Sequence, residues 1–63
     1  MSKVIVQGFE YESEQPPVGY VTLTTIDSDR ILYGVFASVQ EATSFGSKLV
    51  NATVIPIYRP SLH

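Results

Sequence analysis

Four segments of the chain are rich in β-branched, aromatic and other apolar residues, which predicts β-strands, and within residues 19–26 apolar and small polar residues alternate with a period of two. The segments lie near residues 3–11, 19–26, 31–36 and 53–58. Residues 12–18 hold two glutamates and two prolines, which predicts a loop between the first two strands. We interpret Gly8, inside the first strand, as a bulge or a close backbone approach. An unbroken first strand points Val4 and Val6 opposite to Ile5, Phe9 and Tyr11.

A period near 3.6 predicts a helix near residues 39–50. Ser38 followed by Glu41 is a capping box, in which each side chain accepts a hydrogen bond from a free backbone N–H at the helix start. Asn51 suits the left-handed conformation that ends helices. The residues predicted to face a sheet fall within an arc of about 140°: Val39, Ala42, Phe45, Gly46, Leu49 and Val50.

The order of these elements predicts a single domain, residues 1–63, of class α+β. We expect a small β-β-β-α-β domain with one helix packed on one face of a four-stranded mixed sheet. The first three strands form an antiparallel meander, and a right-handed crossover returns the fourth strand parallel to strand three or to strand one. Pro56 lacks an N–H, so the fourth strand should lie at an edge.

The turn between strands two and three decides which residues share a face. An even loop that leaves Ile26 opposite Ile31 puts one strongly apolar set under the helix: Val21, Leu23, Leu32, Gly34 and Phe36. The face that the helix cannot reach is then amphipathic, and exposed apolar patches larger than a few hundred Å² mark interaction sites. We predict an interface there, formed by Tyr20, Thr22, Thr24, Ile26, Ile31, Tyr33 and Val35.

Length and composition favour self-association. A chain of 63 residues with 44% hydrophobic and 16% charged residues has the composition of a folded domain. At this size folding buries only about 60% of the surface of the unfolded chain. Small cores gain stability from disulfides, metals or a second subunit, and this chain has no cysteine and one histidine. We therefore expect a homo-oligomer, with a dimer favoured, or binding to another protein.

Charge and hydropathy exclude several classes of partner. The net charge is −2 and the four basic residues are scattered, so no basic stripe exists for nucleic acid. No apolar run approaches the roughly 20 residues of a membrane span. The first residues lack the features of a signal peptide. We expect a soluble protein in the cytoplasm, with an intravirion location as the other reading.

No residue pattern points to catalysis, a cofactor or a metal. Glu10, Glu12 and Glu14 are a weak match to a cation site, and a solvated loop explains them better. Ser38 lacks the flanking glycines and the histidine of a catalytic nucleophile. His63, the single imidazole, stands at the last position of the sequence. We expect no catalytic, cofactor-binding or metal-binding residue.

The run VFASVQEATSFGSKLVNATVIPIY resembles the strand–helix–strand half of the sporulation-related peptidoglycan-binding (SPOR) domains. The resemblance lies within residues 33–58 and rests on an apolar strand, a small-residue corner, a helix with an alanine and an aromatic, and a returning strand. That family has two such units and this chain has one. The resemblance implies a local fold, and no functional residue is carried over.

The function expected from these observations is noncatalytic: a small protein-interaction or regulatory module that associates with itself or with a partner protein. Two alternatives stay open. One is a small multimeric enzyme or ligand-binding protein whose pocket forms between subunits, with polar groups from Arg30, Tyr33, Glu41 and Arg59. The other is an accessory subunit of a larger assembly, held by an edge strand.

Overall fold

The computed structural model describes residues 1–60, which hold five strands and one helix. In chain order these are β1 (Ser2–Val6), β2 (Phe9–Ser13), β3 (Gly19–Ile26), β4 (Asp29–Phe36), α1 (Val39–Gly46) and β5 (Thr53–Ile57). They build a two-stranded sheet, β1-β2, and a three-stranded sheet of order β4-β3-β5, with every neighbouring pair antiparallel. The α+β class is confirmed, whereas the single four-stranded mixed sheet is replaced by two sheets.

The first predicted strand is a hairpin. Gln7 and Gly8 form its two-residue turn with φ values of 51° and 83°, the left-handed conformations that a tight hairpin turn requires. A Cβ on Gly8 would meet nothing within 4 Å, so the glycine serves the turn and not a close approach. Val4 pairs with Tyr11 across the hairpin. The expectation that these two side chains point to opposite faces is therefore wrong.

The last strand pairs with β3, the second of the four predicted strands, and so with neither of its two predicted neighbours. Its register sets Pro56 opposite Tyr20 and Val54 opposite Thr22. Because β3 takes the centre of the sheet, β5 lies at an edge, as Pro56 predicted. The helical crossover from β4 to β5 thus passes over the central strand. Strands β4 and β5 run parallel to each other but share no hydrogen bonds, because β3 lies between them.

The turn between β3 and β4 has two residues, Asp27 and Ser28, with φ values of 48° and 73°. An even loop was predicted, but Ile26 pairs with Asp29 and not with Ile31. The register then shifts between Tyr20 and Thr22, so that Tyr20 pairs with Phe36. The shift moves Phe36 away from the face of Leu23 and Leu32, with which it was grouped.

The helix begins as predicted and ends early. Ser38 Oγ accepts the backbone N–H of Glu41 at 3.2 Å, and Glu41 Oε2 accepts the N–H of Ala37 at 3.2 Å. The regular helix ends at Gly46, four residues before the predicted end. The chain continues in tight turns in which Leu49 N donates to Gly46 O at 3.0 Å. Asn51 has the expected left-handed φ, 55°.

The helix covers the face of the sheet that was expected to stay open. Thr22 and Thr24 are fully buried beneath it, and Thr22 Oγ1 donates to the carbonyl of Ala42 at 2.9 Å. A Cβ on Gly46 would lie 3.1 Å from Thr22 Cγ2, so helix and strand are close enough that only small groups fit between them. The core beside them consists of Val6 from the hairpin, Ala42 and Val54.

Threonine can form this buried layer because its two branches do different things. The methyl group supplies apolar contact, and the hydroxyl donates to a helix carbonyl, so no polar group is left unpaired. Thr24 Oγ1 repeats the arrangement by donating to the carbonyl of Val50. The larger aliphatic residues of β3 are consequently displaced to the other side of the sheet.

Candidate protein-interaction surface

The structure places six of the seven residues predicted to form an interface on the side of the sheet that the helix covers. Thr22 and Thr24 are inaccessible under α1, and Tyr20 and Tyr33 are half-buried on the same side. Ile26 and Ile31 also lie on that side by their register, and are exposed near the β3–β4 turn. Val35 lies on the opposite side. The seven side chains do not form one free surface.

An uncovered apolar surface exists instead on the other face of the three-stranded sheet. Cross-strand partners share a face, and the pairs Leu23 with Leu32 and Val21 with Ile55 lie opposite the threonine layer. A side chain on Gly19, which pairs with Ile57, would collide with Val35 Cγ1, so Val35 also belongs here. We name this surface the open sheet face; it consists of Val21, Leu23, Leu32, Val35, Ile55 and Ile57.

No helix or strand of residues 1–60 packs over the open sheet face. The helix contacts the threonine side, and the hairpin adds Val6 to the core beside Val54 and packs Val4 and Tyr11 against it. Leu32 is 63% exposed and Val35 is 68% exposed, while the other four side chains are half-buried. A sheet of this kind ordinarily packs one face on a core and keeps the other polar, so this face lacks its usual cover.

Charge is nearly absent from the open sheet face. Among the strand residues on this side, Arg30 is the one ionised group, and it stands beside Thr25 at the turn end. Asp29 lies on the threonine side, and Lys3 forms an ion pair with Glu10 on the hairpin. Two such faces could therefore meet without opposing like charges at their centres.

The two edges of the three-stranded sheet differ in their free hydrogen-bond donors. Ile57 O accepts from Val18 N at 2.8 Å, while Val54 N donates to Gln7 Oε1 at 2.9 Å. Alternate residues of an antiparallel strand bond to opposite sides, so Val54 and Pro56 face outward on β5. The Val54 N–H is already bonded to the Gln7 side chain, and Pro56 has no N–H. The outer edge of β5 is thereby closed over those two residues.

The outer edge of β4 has no such protection. The two-residue turn makes Ile26 and Asp29 a hydrogen-bonded pair, so Asp29, Ile31 and Tyr33 bond to β3. Arg30 and Leu32 alternate with them and present their N–H and C=O groups outward. Within the described residues no strand pairs with this edge.

A shallow groove of about 520 Å³ runs beside the helix. Phe45 forms its apolar part with Phe36, the two ring centroids being 5.3 Å apart. Its polar lining comes from Gln40, Glu41, Ser44 and Lys48. Of the four residues expected in a pocket between subunits, Glu41 alone lines this groove. Arg30 and Tyr33 lie on opposite faces of β4, and Arg59 is exposed beyond β5.

The structure gives no support to a metal site or a catalytic serine among the described residues. Across residues 1–60 no three potential metal ligands come together, and Ser38 acts as the helix cap. His63 lies outside the described residues. The one helix in that part of the chain is too short to cross a membrane.

Comparison of the chain with protein-family models, with curated proteins and with solved structures found no match in any of the three. The local resemblance to half of a SPOR domain therefore adds no functional argument. What the chain does has to be argued from its own surfaces.

Two signals in the sequence point to the open sheet face, although Val21, Leu23 and Leu32 were predicted to lie under the helix and Val35 in the interface. Threonines alternate with aliphatic residues along β3, and only threonine combines a small methyl group with a hydroxyl that can bond a helix carbonyl. Gly34 is the second signal. A Cβ there would lie 2.8 Å from Val21 Cγ1, a closeness that accompanies the register shift between β3 and β4.

Proposed function

We propose that this chain is a small noncatalytic interaction module that works by self-association, with the open sheet faces of two copies packed against each other. The observation that carries the proposal is a set of six aliphatic side chains that no helix or strand of residues 1–60 covers, with Leu32 and Val35 largely exposed and the other four half-buried. Exposed apolar patches of this kind mark interaction sites. Two sheets packed in this way lie about 10 Å apart with interdigitated side chains.

A second copy suits this face for two reasons. The face is apolar at its centre and has its one charge, Arg30, at the turn end, so it is complementary to itself. The monomer also needs more buried area, because Val6, Ala42 and Val54 are the only hydrophobic residues fully buried in the described part of the chain. A chain of this size without a disulfide gains most from a partner that is always present.

The test compares two glutamate substitutions at equally exposed aliphatic positions. Leu32→Glu places a charge in the open sheet face, and Ile5→Glu places one on the hairpin, where Ile5 is 67% exposed. Light scattering after size exclusion should give a wild-type mass that is a multiple of the 7.0 kDa chain. Leu32→Glu should give one chain, because burying an unpaired charge is costly, and Ile5→Glu should keep the wild-type mass.

Two outcomes would contradict the proposal. A wild-type protein that stays monomeric at high micromolar concentration has no self-association to explain. An assembly that survives Leu32→Glu but is lost with Ile5→Glu uses the hairpin instead of the sheet. Circular dichroism of both variants tests whether a change of mass is caused by unfolding.

The second candidate function is binding of a small ligand in the groove beside the helix. The observation that favours it is an aromatic wall, Phe36 and Phe45, facing a rim with one acidic and one basic group, Glu41 and Lys48. Concave sites with an apolar lining and a few polar groups are typical of ligand binding. Chemical-shift changes confined to these residues in a fragment screen would support it. The cytoplasmic location and the role of accessory subunit stay predictions.

A further inference from the structure

We infer that two copies of this chain also join through the outer edges of β4, which pair antiparallel about a two-fold axis at Leu32. This inference rests on the proposed self-association and adds a second interface to it. Natural proteins protect exposed strand edges, because an unpaired row of N–H and C=O groups recruits another strand. Here β5 is protected by Gln7 and Pro56, whereas β4 presents Arg30 and Leu32.

The partner that fits the edge is the same strand of a second copy. Only residues that point outward can form the hydrogen-bonded pairs of the new ladder, so Leu32 must pair with an outward residue. Pairing Leu32 with its own copy keeps the two arginines apart. It also sets Ile31 against Tyr33, an aromatic and β-branched pair of the kind that stabilises sheets.

This register has a consequence for the open sheet face. Because outward residues pair with outward residues, both helices lie on one side of the joined six-stranded sheet and both open sheet faces lie on the other. Edge pairing uses the backbone groups of β4 and face packing uses the side chains of the open sheet face, and Leu32 takes part in both. Two joined sheets can pack their open faces together and close an assembly of four copies, an arrangement with the dihedral symmetry common among tetramers.

Single cysteines test the edge directly, because the chain has none of its own. Two Leu32→Cys residues would have Cα atoms about 5.5 Å apart across the axis, within the range of about 4.4–6.8 Å that a disulfide needs. Face packing alone holds the sheets about 10 Å apart, which is too far. Ile5→Cys is the control for an exposed thiol on the hairpin, and Ile55→Cys is the control on the open sheet face.

Mild oxidation should convert Leu32→Cys almost completely to a disulfide-linked dimer, at least ten times faster than either control. The reduced variant is weighed first by light scattering to show that it still assembles. An oligomer in which Leu32→Cys links no faster than Ile5→Cys overturns the edge pairing and leaves the proposed function standing. A monomeric wild type overturns both.

A backbone substitution gives a second, independent measurement. Arg30→Pro removes an outward N–H without breaking a bond to β3, and proline is tolerated at such edge positions. The wild-type mass should be about four times the 7.0 kDa of one chain, and Arg30→Pro should halve it. Glu12→Pro, on the outward side of β2, should leave the mass unchanged. An unchanged mass with Arg30→Pro contradicts the inference.

Discussion

The two faces of the three-stranded sheet show how burial can depart from hydrophobicity. The covered face contributes threonines, aromatic rings, Val54, Pro56 and, near the turn, Ile26 and Ile31, while the uncovered face contributes leucines, valines and isoleucines. The more hydrophobic face is the one left open. The helix packs on the face that it can approach closely through Ala42 and Gly46. On that face threonine hydroxyls donate to carbonyls of the helical segment.

The difference separates two requirements that are often treated as one. Packing a helix onto a sheet needs a complementary shape and no unpaired polar group. Removing apolar surface from water needs only contact with something apolar. Here the first requirement is met within the chain, and under our proposal a second copy of the chain meets the second. The following predictions test that division, from the largest expected effect to the smallest.

Truncation of the aromatic cluster should have the largest effect on stability. Phe45 lies between Tyr33 and Phe36, with ring centroids 5.0 Å and 5.3 Å away. Because Phe45 is half-buried, Phe45→Ala should lower the free energy of unfolding by about 2–3 kcal/mol, near the lower end for phenylalanine truncations. Thermal and urea melts measure the loss. If Ser47→Ala, a change at the exposed residue after the helix, proves more damaging, the helix has been placed with the wrong face inward.

A matched pair of threonine substitutions compares the two faces directly. Thr22→Val keeps the side chain's shape but removes the donor to the Ala42 carbonyl, and should cost about 1–2 kcal/mol. Thr25→Val, on the exposed side of the same strand, should change the free energy of unfolding by less than about 0.5 kcal/mol. Equal effects in urea unfolding would mean that the hydroxyl of Thr22 does not support the helix.

The helix cap should have a smaller effect that is independent of either face. Ser38→Ala removes the acceptor for Glu41 N and should cost about 1 kcal/mol. Ser38→Asp, which restores an acceptor, should recover most of the loss in the same urea melts. A loss that aspartate does not recover would show that Ser38 contributes through packing and not through capping.

The elements governed by local chemistry were predictable from the sequence. The start of the helix followed from Ser38 and Glu41, the edge position of β5 from Pro56, and the even turn from the alternation on either side of Asp27 and Ser28. Each depends on residues a few positions apart. Their physical causes are complete within a short segment.

The errors concern choices between distant partners. The sequence around Gly8 was consistent with a bulge inside one strand. In the structure Gly8 has a left-handed φ and forms a turn, so the predicted strand is a hairpin of two strands. We predicted which face of the sheet the helix covers from total hydrophobicity. In the fold, the close approach of Gly46 to Thr22 determines that face. The open sheet face was missed for the same reason.

Solvent accessibility of individual methyl groups tests the central claim most directly. Nuclear magnetic resonance with a soluble paramagnetic agent reports how strongly each methyl is broadened, at low and at high protein concentration. Thr22 should be protected at both concentrations and Ile5 exposed at both, while Leu32 and Val35 should be exposed when dilute and protected when concentrated. A Leu32 methyl that stays as accessible as that of Ile5 at high concentration would contradict the account.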